Sequence, residues 1–276
     1  MGKEDVERFL ASHPYSPATR DTYRRALSVL VDLPDLAELD AAGLVDWIGK
    51  HSAWGNSQQY VALCACRKFL GWVYGPTHPA LTARIKRVKP RRQRTLTATR
   101  ALDLLASFDP RTPKGARDLA IAALALDTGL RCSELCRLRL ADTDLSSRTL
   151  QVIVKGGQWG VGIFSPETAQ YLREWLAVRK ALPGVDTVFV SVWHGTALTR
   201  EGLQTIVKKW GVAIGLKLSP HDLRRSFATL STIFGAPSRI VQEAGRWANI
   251  TMVEHYTQSL DPEAITPFLP VSRLKR

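Results

Sequence analysis

Residues 116–128 constrain this chain more than any other stretch. Leu119, Ala120, Ala123, Leu124 and Leu126 make the segment too apolar to face water, and their spacing predicts a helix buried inside a domain. Gly129 suits a left-handed stop at its C-terminus. Arg131 follows two residues after this stop, so its guanidinium is carried by the core rather than by a free loop. Ser133, Glu134, Leu135 and Leu138 predict a further short helix. An ordinary surface pair between Arg131 and Glu134, of small energetic value, is the plain alternative.

The remaining signals are mostly helical. Ser16-Pro17 opens a helix with Tyr23, Ala26, Leu27 and Leu30 on one face, and Asp40 opens another with Leu44, Trp47 and Ile48. Ser57 opens a third, carrying Tyr60, Leu63, Cys64, Phe69, Leu70 and Val73 until Gly75-Pro76. Thr97 caps a helix bearing Ala101, Leu104, Leu105 and Phe108; Ser165-Pro166 starts one running to about Lys180, and Thr199 one running to about Ile214. Strand-like alternation marks Thr149–Val154 and Trp159–Phe164, with Lys155-Gly156-Gly157-Gln158 as the turn between them, and Val188–Val190 reads as one more short strand. The expected fold is mainly α with a small antiparallel β-sheet. Residues 1–83 form a helical domain, 84–96 a linker, and 97–276 a mixed α+β domain ending in a proline-bearing tail.

Charge narrows the partner. The formal net charge is +13, which points to a polyanion, and for a chain of this kind to nucleic acid. Arg84, Lys86, Arg87, Lys89, Arg91, Arg92 and Arg94 place seven cations within eleven residues around Pro90, with no acid among them. An extended cationic connector of this kind can track a phosphate backbone. No apolar run approaches the about 18 residues needed to span a bilayer, and the N-terminus lacks a signal segment; a cytoplasmic location without a membrane partner is expected, nucleoid-associated when on DNA. Cys64, Cys66, Cys132 and Cys136 fit no zinc spacing and read as small apolar residues on helices.

The chemistry gathers in Ser219–Tyr256. Ser219 caps a helix, Pro220 suits its first turn, and His221 and Arg224 then share one face. Tyr256 ends a short amphipathic run with Ile250 and Val253. Taken together with Arg131, Lys155 and Trp247, these residues suit attack on a phosphate. Two guanidiniums can hold its nonbridging oxygens and stabilise charge that develops on them. A phenol has a pKa of about 10; nearby cations lower the cost of ionising it, and His221 can accept its proton. A lysine on a hairpin can protonate the leaving 5′-oxygen. The product is a covalent phosphotyrosine, and the scheme requires neither metal nor cofactor.

These motifs resemble the tyrosine recombinases, the phage integrase family. The resemblance lies in Thr128-Gly129-Leu130-Arg131-Cys132-Ser133-Glu134-Leu135, Lys155-Gly156-Gly157, His221-Asp222-Leu223-Arg224-Arg225 and Gly245-Arg246-Trp247 followed by Tyr256. It covers residues 97–260 well and residues 1–83 more loosely, as the family's core-DNA-binding module. It implies that Arg131 is the first catalytic arginine, Glu134 its acidic support, Lys155 the general acid, His221 and Arg224 the paired motif, and Tyr256 the nucleophile. Most members carry histidine where this chain has Trp247; some use tryptophan, which donates its indole N–H and packs but cannot exchange a proton. A one-residue shift would put Arg246 there instead. Many members also have further basic residues after the hairpin glycines, where this chain has Gln158-Trp159.

The implied partners are double-stranded DNA core sites and three further copies of the chain, in a tetramer that exchanges strands through a Holliday junction. A directionality factor is a further partner the resemblance allows. No arm-binding domain is expected, since the core-binding pattern begins almost at once. The alternatives are a type IB topoisomerase-like relaxing enzyme and a catalytically inactive DNA-binding protein.

Overall fold

The computed structural model describes residues 2–33, 35–51, 53–88, 94–153, 157–251 and 253–254. The chain divides into two compact units, Met1–Arg91 and Arg92–Arg276.

The first unit is helical. Helices α1 (Lys3–Ala11), α2 (Pro17–Leu30), α3 (Ala41–Lys50) and α4 (Asn56–Tyr74) precede a 3-10 turn at Pro79–Thr82. Side chains satisfy the otherwise unpaired N–H groups at helix starts: Ser16 accepts from Thr19 and Asp40 from Gly43. Phe9, Leu27, Leu30, Leu44, Ile48, Phe69 and Leu70 are fully buried between the helices. Helix α1 is an addition to the elements expected from the sequence. Its Val6, Phe9 and Leu10 cover the core alongside α2 and α4. Asn56, at the start of α4, fastens the chain beyond the 3-10 turn. Its amide donates to Lys86 O at 3.0 Å and its carbonyl oxygen accepts from Val88 N–H at 2.7 Å.

The second unit is built around α6 (Pro113–Thr128), which starts three residues earlier than its apolar run because Thr112 caps it and Pro113 occupies its first turn. Ala120, Ile121, Leu124 and Ala125 are fully enclosed. Truncation of such a leucine costs about 2–5 kcal/mol. The helix also buries charge. Asp118 accepts from Arg117, Lys114 and the indole N–H of Trp210, so its carboxylate is paired rather than stranded. Around α6 lie α5 (Ala98–Ala106), α7 (Cys132–Arg137), α8 (Pro166–Val178), α9 (Arg200–Ala213), α10 (Pro220–Ile233) and α11 (Ser238–Ala244), with α8 and α10 in the most extensive contact with it.

Strands β1 (Thr143–Asp144), β2 (Thr149–Ile153) and β3 (Trp159–Ile163) form an antiparallel sheet in the order β1-β2-β3. Ile153 faces Trp159 and Thr149 faces Ile163. The molecule is thus mainly α with one small antiparallel sheet. Val188–Val190 does not form a strand of its own. Val190 makes only an isolated bridge to Ala197, and the neighbouring Thr187 one to Arg139. Its apolar, β-branched sequence signals complete burial rather than a ladder.

Candidate active site

Two turns bring the site together. The first is the junction of α6 and α7. Gly129 ends α6 at φ +58°, and a β-carbon there would also lie 2.5 Å from the Phe227 ring. The chain then reverses, and Arg131 becomes the N-cap residue of α7. Glu134, almost fully buried, receives the Arg131 backbone N–H at 2.8 Å and its guanidinium at 2.7 Å. One carboxylate therefore fixes both the backbone and the side chain of Arg131, and its charge favours the helix start.

The second junction is the start of α10. Asp222 caps the start of this helix, accepting from Ser219 N–H at 2.9 Å and from Ser219 O–H at 2.6 Å. Asp222 also pairs with Arg225 at 3.1 Å and with Arg94 at 3.6 Å. This leaves His221 and Arg224 on the side facing Arg131. All three line one cavity of about 490 Å³.

Burial is the main cause of a lowered His221 pKa, below its ordinary 6.5. The charges of Arg225 and Arg224 come next and Arg131 adds to them, while Asp222 opposes the shift. The shift favours the neutral imidazole, the form that can accept a proton.

Arg224 is buried and highly constrained. Its guanidinium donates to Gly129 O and to Gly245 O, the latter at 2.6 Å. Its central carbon lies 4.4 Å from the centre of the Trp247 ring. Trp247 stacks on Phe227 with ring centres 6.0 Å apart and is itself buried, with Val241 and Val253 completing a small cluster. Gly245 has no tolerance for a side chain, because a β-carbon would fall 1.8 Å from the Trp247 ring. The structure thus brings Arg131, Glu134, His221, Arg224 and Trp247 into one region. Lys155 and Tyr256 lie outside the described residues.

Of the basic stretch, Arg84, Lys86, Arg87 and Arg94 are exposed. Arg84 donates to nearby carbonyls, including Ala83 O at 3.0 Å, and Arg87 lies over the Tyr60 ring. Arg94 differs from them, since it shares the Asp222 carboxylate. Lys89, Arg91 and Arg92 lie outside the described residues.

The cavity contains further residues that the sequence motifs do not mark. Arg200, Gln204 and Lys208 line it from α9, four residues apart, and that spacing after the Thr199 cap is a readable sign of one helix face. Cys132, which does lie in the Thr128–Leu135 motif, lines it as well. A hydrogen bond with Cys136 lowers the Cys132 thiol pKa, while that same bond and burial raise that of Cys136. Among the described residues there is no grouping of three or more His, Cys, Asp or Glu side chains able to hold a metal ion, and no helix is long and apolar enough to cross a membrane.

Comparison with known proteins shows the family and the fold. The model of the phage integrase family matches residues 94–263. Tyrosine recombinase XerC of Yersinia pestis is 30% identical over 270 residues, spanning 91% of this chain and 89% of the relative. Among solved structures, the XerH site-specific recombinase bound to palindromic difH substrate in a post-cleavage complex superposes with a TM-score of 0.74 at 20% identity, over 92% of this chain and 80% of that one. A lambda integrase dimer bound to a COC′ core site gives 0.75 at 19% identity, over 91% and 92%. These structures share the fold.

Proposed function

The chain belongs to the phage integrase family of tyrosine recombinases, and on that premise we propose that it is a site-specific recombinase that cleaves and rejoins DNA through Tyr256. The observation that carries the reading is the convergence of Arg131, His221 and Arg224 on one cavity, with Trp247 packed under Arg224. Three groups able to hold or relay protons to a phosphate share a wall, and each is fixed from behind by a cap, a carboxylate or an aromatic face.

In this mechanism a phosphodiester enters the cavity with its nonbridging oxygens toward Arg131 and Arg224. The phenol oxygen of Tyr256 attacks phosphorus, and its proton passes to neutral His221. The bond from phosphorus to the 5′-oxygen breaks, and Lys155 gives that oxygen its proton. The products are a 3′-phosphotyrosine and a free 5′-hydroxyl. Charge that grows on the nonbridging oxygens meets guanidiniums already oriented by Glu134 and by backbone carbonyls, so little reorganisation is needed. Attack by the 5′-hydroxyl of a second duplex reverses the step and joins new ends. Two such rounds form and resolve a Holliday junction.

The helical unit and the basic stretch, with Arg84, Lys86, Arg87, Lys89, Arg91, Arg92 and Arg94, grip the core site together with the second unit. Four copies form the synaptic complex, and a directionality factor acts on it where the reaction must run one way. The matched relatives are recombinases, which favours strand exchange over simple relaxation.

The test begins with the DNA. Fragments bound by the protein are selected from genomic DNA, and a duplex of the selected site is nicked beside the cleavage point so that cut ends cannot rejoin. Wild-type protein is expected to accumulate a covalent adduct, and Tyr256→Phe to bind equally while forming none. Binding without an adduct in the wild type would overturn the reading. Adduct formation by the Phe variant would overturn the choice of nucleophile.

A further inference from the structure

Two helix ends converge behind the cavity. Thr128 and Gly129 close α6, and Ala244 and Gly245 close α11. Each end presents carbonyls that have no partner within their own helix and carry the negative pole of the helix dipole. Arg224 takes the second carbonyl of each pair, Gly129 O and Gly245 O. Arg246 takes the first of each, donating to Thr128 O at 2.8 Å and to Ala244 O at 2.8 Å. The same Arg246 guanidinium also reaches Val161 O on β3 at 3.1 Å.

Arg246 holds this position against local preference. Its φ is +55°, a left-handed backbone that glycine adopts freely and a β-carbon resists. Its Nε is buried without a hydrogen-bond partner among the described residues. Burial lowers its proton affinity, with Glu134 opposing and Arg131 adding to the effect. A surface arginine would avoid all three penalties. What offsets them is the set of three carbonyls on three separate elements.

We propose that Arg246 is a positioning residue for strand cleavage. It locks the turn that leads to Arg131, the turn that leads to Trp247, and strand β3 into one frame. Arg224 closes that frame from the cavity side, where it also faces the phosphate; Arg246 closes it from the other. The proposal rests on the recombinase reading given above.

The test compares Arg246→Gly and Arg246→Lys with wild type on the nicked duplex of the selected site. Glycine removes the guanidinium and also relieves the left-handed strain; lysine keeps the charge but cannot fork to three carbonyls. Both variants are expected to bind DNA with unchanged affinity and to melt cooperatively, yet to form adduct on the order of 10–100-fold more slowly in single-turnover reactions. Methylguanidinium, added below denaturing concentration, is expected to restore part of the rate in the glycine variant and none in wild type. A glycine variant that cleaves at the wild-type rate overturns the proposal, as does a rate loss that only tracks weaker binding or lower stability. If the glycine variant does not fold, the lysine variant supplies the same comparison. Failure of wild type itself to form an adduct removes the recombinase reading and this proposal with it.

Discussion

The guanidinium of Arg224 lies 4.4 Å from the centre of the Trp247 ring, while donating to the carbonyl of Gly245 two residues before that ring. One arginine thus fixes both the backbone and the aromatic face of the same turn. Such a stack is worth about 0.5–2 kcal/mol, more where water is excluded.

This contact makes Trp247 a packing residue as much as a polar one. Trp247→Ala is expected to destabilise the second unit by about 3–5 kcal/mol. Trp247→Phe keeps a ring under Arg224 and loses the indole N–H, so it should melt near wild type while cleaving more slowly. Urea denaturation alongside single-turnover adduct formation separates the two effects. An alanine variant as stable as wild type would contradict the packing role.

Glu134 holds Arg131 by two hydrogen bonds from a nearly enclosed position. Glu134→Gln can still accept the backbone N–H but loses the charge that anchors the guanidinium. The expected loss is about 1.5–3 kcal/mol of stability, in the range for hydrogen bonds to charged groups. A fall in cleavage rate on the order of tenfold should accompany it, from the displaced Arg131. Unchanged cleavage by a stably folded Gln variant would show that Arg131 keeps its place without the carboxylate.

The pH dependence has a defined sign. His221 has its pKa lowered below 6.5 in the folded chain, first by burial and then by Arg225. The unfolded chain therefore binds this proton more readily, and the His221 contribution to stability is lost as pH falls through 6.5 toward the folded value. Arg225→Gln removes the largest repelling charge and leaves Asp222 less neutralised, so both changes raise the imidazole pKa. The NMR titration midpoint of His221 should move up toward 6.5, and the acid limb of the cleavage profile should move up with it. A midpoint that does not move would refute the assignment of the shift to Arg225.

For the basic stretch, replacing Arg84, Lys86 and Arg87 with glutamine is expected to weaken DNA binding. It should also flatten the plot of log affinity against log salt by up to about 0.9 for each phosphate that is no longer neutralised. Arg94→Gln should flatten that slope by less than each of these three does, because Arg94 shares a carboxylate with Arg225 and the Ser219 cap. Equal effects from Arg94 and from the other three would remove the distinction between them.

Much of the scaffold is legible in the sequence because its signals are local. Caps at Ser16, Asp40, Thr97, Ser165 and Thr199 each accept the predicted backbone N–H. The apolar run after Ala116 marks the central helix. By contrast, α1, α11 and the two-residue β1 are short, and their reason for existing lies in what they cover or pair with. The site divides in the same way. His221 and Arg224 share a helix, so their common face follows from spacing alone. Arg246 offers no such sign, since its acceptors at Thr128, Val161 and Ala244 belong to three elements and its left-handed backbone is set by the fold around it.

The close approach of Gly245 to Trp247 also dictates an order of change. While tryptophan occupies 247, any side chain at 245 collides with its ring. If a smaller residue replaces the tryptophan first, position 245 becomes open to alanine or serine. The two positions are therefore epistatic, and a lineage can reach a substituted 245 only by passing through a changed 247. The tryptophan thus acts as a ratchet on its own neighbourhood, confining the chain to those variants in which Gly245 is kept.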